Sequence, residues 1–116
     1  MSFIKEDYKK TDRIRSKKEY DNIYKTGKKL YSKFFCFFYK KGSGRIGIVV
    51  GKKVTKMAVC RNLIKRRVRH IFRTNKSLFS GLDIVLVALP SSLNASYKEL
   101  VDDIKYIFEK NIDKTD

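Results

Sequence analysis

Residues 22 to 82 hold seventeen Lys or Arg and no Asp or Glu. Any fold of this chain has to keep those cations at the surface while burying the apolar residues between them, because an unpaired buried charge costs more than a small domain's stability can absorb. The formal net charge is +16, and the eleven cations and twelve acids outside the block sum to −1. All the excess charge thus lies in one continuous stretch, and a folded domain with such a field attracts polyanions. The self-repulsion destabilises the compact state, so a partner that relieves it is expected.

The chain is long enough, at 116 residues, for one small domain with a single core. A hydrophobic content of 42% and fifteen aromatics exclude a disordered chain. No apolar run approaches the roughly 20 residues of a membrane span. The start, MSFIKEDYKK, lacks the apolar centre of a signal peptide, so a cytoplasmic protein is expected. Cys36 and Cys60 lack metal-ligand spacing, and the single histidine leaves no Cys/His zinc site. Both cysteines sit among apolar residues and read as reduced core thiols.

Periodicity orders the elements. Residues 1–12 read as a flexible tail with one short strand near its end, and residues 13–116 as a single domain. Ser16 and Glu19 have capping-box spacing. They precede the i, i+3, i+4 stripe of Tyr20, Ile23 and Tyr24, and Gly27 suits a left-handed helix end. LYSKFFCFFYKK reads as one aromatic strand, Gly42, Ser43 and Gly44 as a turn, and RIGIVVGKK as its antiparallel hairpin partner. A long helix is expected over residues 56 to 76. LDIVLVALP, an unbroken apolar run closed by Pro90, reads as a buried strand. Ser96 caps a last helix with the stripe Leu100, Ile104, Ile107 and Phe108. Glu99, Asp102, Asp103 and Glu109 gather on it, away from the basic block. The order is α-β-β-α-β-α, an α/β (α+β) class, with an extra N-terminal strand left open.

Within the long helix, CRNLIKRRVRHIFR places Cys60, Ile64, Val68, Ile71 and Phe72 on one side at about 100° per residue. Asn62, Lys65, Arg66, Arg69 and Arg73 fall opposite, with Arg61 and Arg67 at the two boundaries. A solvated face fits poorly, because like charges at i, i+4 repel and Arg61, Lys65, Arg69 and Arg73 repeat at that spacing without an acid. A membrane-surface helix would have to pull its apolar face out of the core. DNA-reading helices carry Asn, Gln or Ser for base edges, and here only Asn62 qualifies. A row of phosphates fits best, since guanidinium groups bind them with paired hydrogen bonds.

Aromatics form a second candidate surface. Phe34, Cys36 and Phe38 alternate with Phe35, Phe37 and Tyr39, so both strand faces are aromatic. One face can pack under helices. The other either stacks unpaired bases or is core as well.

These residues resemble the bacterial ribonuclease P protein component. The resemblance rests on RIGIVVGKKVTKMAVCRNLIKRRVRHIFR followed by LDIVLVA, and runs from about Arg13 to Phe108. Its most specific part is Arg61-Asn62, then Ile64-Lys65-Arg66, Arg69 and Phe72. Where the family carries an Arg-Asn-Arg signature this chain has Leu63 third, away from the centre of the cationic face. After VLVA, where the family often has a basic residue, it has Leu89-Pro90. The resemblance implies an α/β sandwich with a mixed sheet of about four strands and an uncommon left-handed βαβ crossover. It implies a chain that assists a separate catalytic RNA, with bound magnesium ions, in cleaving the 5′ leader from precursor tRNA. The protein itself then carries no catalytic residues, metal or cofactor, and acts as a monomer apart from RNA. Arg61, Asn62, Lys65, Arg66, Arg69 and Arg73 would face the catalytic RNA. Tyr20, Tyr24 and Phe38, with Lys52 and Lys53 nearby, would line a cleft for the leader.

The residues support that division independently. One His without a partner signal gives no general-base pair, and residues 22 to 82 contain no carboxylate for metal-assisted cleavage. A structural RNA-binding protein, such as a small ribosomal protein, shares the basic composition. A protein-only nuclease is disfavoured by the missing catalytic groups.

Overall fold

The computed structural model describes residues 13–110, so the expected tail over residues 1–12 and its strand lie outside the described part. Three helices, α1 (Lys17–Thr26), α2 (Ala58–Thr74) and α3 (Tyr97–Lys110), accompany four strands, β1 (Lys28–Tyr31), β2 (Phe35–Lys41), β3 (Ile46–Val49) and β4 (Leu82–Ala88). Short 3₁₀ turns at Lys76–Phe79 and Pro90–Asn94 flank β4. The α-β-β-α-β-α order holds with one strand added, β1.

The strand expected over residues 30–41 is two. A bend at residues 32–34 divides it, and Asp103 of α3 holds that bend. Its carboxylate accepts from the Ser32 hydroxyl at 2.7 Å, the Phe34 N–H at 3.0 Å and the Lys33 N–H at 3.2 Å. A carboxylate some seventy residues away thus turns one strand into a β1–β2 hairpin, with Leu30 opposite Phe37 and Tyr31 opposite Cys36. The acids of the last helix are therefore not all remote from the basic block. Because Phe34 precedes the strand, it escapes the alternation and packs with Phe35 and Phe37 rather than with Phe38.

The expected hairpin between β2 and β3 is not formed. The sheet order is β1-β2-β4-β3, with β4 antiparallel to β2 and parallel to β3. LDIVLVA explains the insertion. It is apolar on both faces, and its residues are buried except for the half-buried Val87, so a central place suits it better than an edge. The turn at Gly42, Ser43 and Gly44 still reverses the chain, so that β3 runs antiparallel to β2, but it leaves one strand's place between them for β4.

The larger core lies on one face of the sheet. Phe35, Phe37, Ile46, Ile84 and Leu86 meet Ile64, Val68, Ile71 and Phe72 of α2 and Leu100, Ile104, Ile107 and Phe108 of α3. Both stripes read from the sequence are buried, except that Cys60 is only half-buried whereas Cys36 is buried. The other face holds a small cluster, Ile14, Ile23 and Val85, flanked by Tyr20, Phe38, Val49 and Val87. Among the described residues, α1 and the segment of Ile14 before it cover this side. The capping box of α1 is complete: Ser16 Oγ accepts from the Glu19 N–H and the Glu19 carboxylate accepts from the Ser16 N–H. Gly27 ends α1 in extended rather than left-handed backbone, at φ −80° and ψ 165°. A Cβ there would lie 2.6 Å from the Ile23 carbonyl oxygen and 2.9 Å from that of Tyr39. Close approach, not handedness, selects the glycine.

Candidate nucleic-acid interface

The outer face of α2 is cationic over its whole length. Asn62, Arg66 and Arg69 are exposed, and Arg61, Lys65, Arg67 and Arg73 are half-buried. No side chain caps α2 at Met57, and its first turn has no acid. The helix dipole and the cations therefore add at this end, which favours a negative partner. Two arginines at the boundaries also serve the fold. Arg61 Nη1 donates to the Thr55 carbonyl at 3.0 Å, tying the loop after β3 to the helix. Arg67 Nη1 reaches the Ala95 carbonyl at 3.4 Å. Leu63 is exposed beside the cationic row, one turn from the exposed Val59.

Arg66, Arg69 and Arg73 open into a hollow of about 640 Å³ shared with Arg67, His70, Arg13 and Tyr97. The His70 and Tyr97 rings stand 5.8 Å apart, and Arg73 Nη2 lies 2.5 Å from His70 Nδ1. Arg13, His70 and Tyr97 were not among the residues expected from the helix pattern. Arg13 and Tyr97 belong to other elements, so no local periodicity could have supplied them.

On the opposite face of the sheet the structure brings Tyr20, Tyr24 and Phe38 together. Tyr20 and Tyr24 are 6.4 Å apart between ring centroids, and Tyr24 meets Phe38 edge-on at 4.8 Å. Tyr20 lies flat on β3 because residue 47 is glycine; a Cβ there would stand 2.5 Å from the Tyr20 hydroxyl. Burial pushes both phenols above their ordinary range, with the Glu19 charge adding to the effect at Tyr20. They remain neutral donors at physiological pH. The floor beyond the rings is the row Tyr31, Cys36, Val87 and Val49, in register across all four strands. Burial also raises the Cys36 thiol, which leaves it protonated and unreactive in this floor.

Lys52 and Lys53 stand exposed on the turn after β3, three and four residues beyond Val49. Among the described residues, no hydrogen bond or cation–π contact joins them to the rings. The lysine that does meet the rings is Lys29, which the sequence reading passed over. Its ammonium lies 5.0 Å from the Tyr31 centroid and 5.5 Å from that of Phe38.

Two carboxylates near the cleft are already committed. Arg45 bridges Glu19 of α1 and Asp83 of β4, at 2.5 Å and 3.1 Å. Asp83 also accepts from the Ser43 and Arg45 N–H groups. The Arg45 guanidinium, helped by the Arg15 and Ser16 N–H groups, holds the Glu19 carboxyl at a pKa of about 2. These groups brace α1 on the sheet. Among the described residues no cluster of three His, Cys, Asp or Glu is placed to hold a metal ion. The arrangement is chemically two unlike surfaces, one made of cations and one of rings.

A family model for Ribonuclease P matches residues 8–111. The chain belongs to the ribonuclease P protein family. It is 38% identical over 109 residues to the ribonuclease P protein component of Finegoldia magna, covering 90% of this chain and 95% of the relative. It is 33% identical over 99 residues to that of Coxiella burnetii, covering 83% and 82%. The ribonuclease P protein from Thermotoga maritima superposes with a TM-score of 0.78 at 28% identity, over 87% of this chain and 98% of that one. A Staphylococcus aureus RNase P protein mutant with defective mRNA degradation activity gives 0.80 at 27% identity, over 86% and 87%. The protein is thus the protein subunit of ribonuclease P, a tRNA-processing endonuclease, and the reading as a ribosomal protein is not favoured. No helix among the described residues is long and apolar enough to cross a membrane.

Proposed function

We propose that the two surfaces divide the work of ribonuclease P between two RNAs. The outer face of α2, with Arg61, Asn62, Lys65, Arg66, Arg69 and Arg73, holds the catalytic RNA through its phosphates. The cleft of Tyr20, Tyr24 and Phe38, with Lys52 and Lys53 at its end, receives the single-stranded 5′ leader of precursor tRNA. The catalytic RNA, with its magnesium ions, performs the hydrolysis. The protein acts as a monomer apart from RNA.

The observation that carries this reading is the placement of the surfaces. The cationic helix packs on one face of the sheet and the ring cluster opens on the other, so both can be occupied at once. Each surface suits its RNA. Rows of guanidinium groups bind folded RNA through its backbone. Aromatic platforms hold unpaired bases without demanding one sequence, which suits leaders that differ among precursors.

The test is reconstitution with the cognate catalytic RNA and a precursor tRNA. The protein with magnesium alone should leave the leader junction intact. The RNA alone should cut slowly at high salt, and faster once the protein is added. Site-specific cleavage by nuclease-free protein alone would overturn the assignment of the chemistry to RNA.

A further inference from the structure

The rings read as the leader cleft do not end at Phe38. Lys29 and Tyr31 of the edge strand β1 point to the same side as Cys36 and Phe38, since Lys29 pairs with Phe38 and Tyr31 with Cys36. Leu30 between them packs toward the α2–α3 core. Tyr31 is 59% exposed although it stands beside the buried Cys36. A hydrogen bond to the Tyr31 hydroxyl raises the Lys29 pKa, and that ammonium lies against both the Tyr31 and Phe38 rings. The row Tyr31–Cys36–Val87–Val49 therefore makes a floor across the whole sheet, with Tyr31 and Lys29 at the β1 edge and Val49, shortly before Lys52 and Lys53 in the chain, at the β3 edge. Three strand spacings make it about 14 Å long.

The two ends are not equivalent. β3 and the turn bearing Lys52 and Lys53 lead directly into α2, the helix assigned to the catalytic RNA, whereas β1 is the edge furthest from β3. A strand entering from the β3 edge crosses Val49 and Val87 first and reaches β1 last.

We propose that Lys29 and Tyr31 form the distal end of the leader track, where Tyr31 stacks on a base remote from the cleavage site and Lys29 takes its phosphate. This rests on the leader-cleft reading of Tyr20, Tyr24 and Phe38. Lys29 covers the ring faces in the free protein, and a phosphate draws the ammonium off them. A lysine edge on β1 would by itself only discourage sheet-to-sheet association. It would not call for an exposed tyrosine on the same face.

The experiment uses the full chain reconstituted with its catalytic RNA, and precursor tRNAs whose leaders lengthen stepwise from one nucleotide to ten. Affinities are compared for the unaltered protein and for Tyr31→Ala, Tyr31→Phe, Lys29→Ala and Phe38→Ala. Tyr31→Ala should match the unaltered protein on the shortest leaders and weaken by about fivefold or more once the leader reaches β1, as expected for loss of one stacked base. Tyr31→Phe should retain the affinity. Lys29→Ala should lose affinity over the same lengths, and its salt dependence should flatten by about one log–log unit. Equal affinity of Tyr31→Ala at every length, or an equal loss at every length, would overturn the proposal. If Phe38→Ala still discriminated by leader length in that case, the cleft itself would stand. If Phe38→Ala also failed to discriminate, the cleft reading would fall with its extension.

Discussion

The two faces of the sheet begin from the same material and end differently. Strand β2 sends Phe35 and Phe37 to one side and Cys36 and Phe38 to the other. On the first side two helices and the turn at Lys76–Phe79 close over the rings, and Phe37 meets Phe108 edge-on at 5.0 Å. On the second, one ten-residue helix leaves Phe38 half-buried and the row from Tyr31 to Val49 incompletely covered. Aromatic content alone therefore does not distinguish a core from a binding surface. What distinguishes them among the described residues is how much helix lies over each face, α2 and α3 on one and α1 on the other.

The strongest way to break this comparison is to remove one ring from each face. Phe37 is fully buried, and Phe37→Ala should cost about 3–5 kcal/mol, a large share of a small domain's stability. Phe38→Ala, on the half-buried side, should cost about 1–2 kcal/mol. Chemical denaturation of both variants measures the difference directly. Comparable losses would mean that the second face is core as well. Phe38→Ala should in addition weaken binding of a long-leader precursor tRNA well beyond its effect on a one-nucleotide leader, because a stacked base is worth about 1–3 kcal/mol.

A smaller effect on stability, with a distinct signature, is expected on the outer face of α2. Arg66 and Arg69 are exposed and lie opposite the buried stripe of Ile64, Val68, Ile71 and Phe72. Replacing both with Ala should change stability by no more than about 0.5 kcal/mol. Binding to the catalytic RNA should weaken, with the salt dependence flattening by roughly one log–log unit for each lost contact. Unchanged affinity and slope would remove these two residues from the RNA surface.

Much of this was legible in the sequence where the determinant is local. The capping box of Ser16 and Glu19, the stripes of α2 and α3, and the apolar run of β4 depend on neighbours within a few residues. What was not legible depends on distant ones. A carboxylate of α3 bends the chain at residues 32–34, and without it LYSKFFCFFYKK is one plausible strand. The hydrophobic alternation of β2 and β3 is the same whether they pair with each other or with β4 between them. Lys29 and Tyr31 escaped notice as neighbours of Phe38 and Cys36 because β1 itself did. The hollow beside α2 gathers Arg13 and Tyr97 from opposite ends of the chain, so its cationic helix was foreseeable but its walls were not.

The finest test compares the helix ends on the two faces. Glu19 on α1 and Glu99 on α3 occupy the same place in two capping boxes, accepting from the N–H of Ser16 and Ser96 respectively. Backbone donation from Ser96 lowers the Glu99 carboxyl, while at Glu19 the larger cause is the Arg45 guanidinium, which takes it to about 2. Both groups titrate lower in the folded state than in the unfolded chain. Each therefore contributes stability that is present above the ordinary carboxylate pKa of about 4.3 and is lost as the pH falls through the folded value. For Glu19 the window runs from about 4.5 down to about 2. Glu19→Gln should flatten the acid limb of the stability curve across that window more than Glu99→Gln does, because only Glu19 also ties its helix to the sheet through Arg45 and Asp83. The loss should be local first. Since α1 is the one helix over the ring face among the described residues, acid should change the tyrosine environment at Tyr20 and Tyr24 before it melts the α2–α3 core. Tyrosine fluorescence followed alongside far-ultraviolet circular dichroism separates the two events, and their coincidence at every pH would show that one covering helix is as firmly held as two.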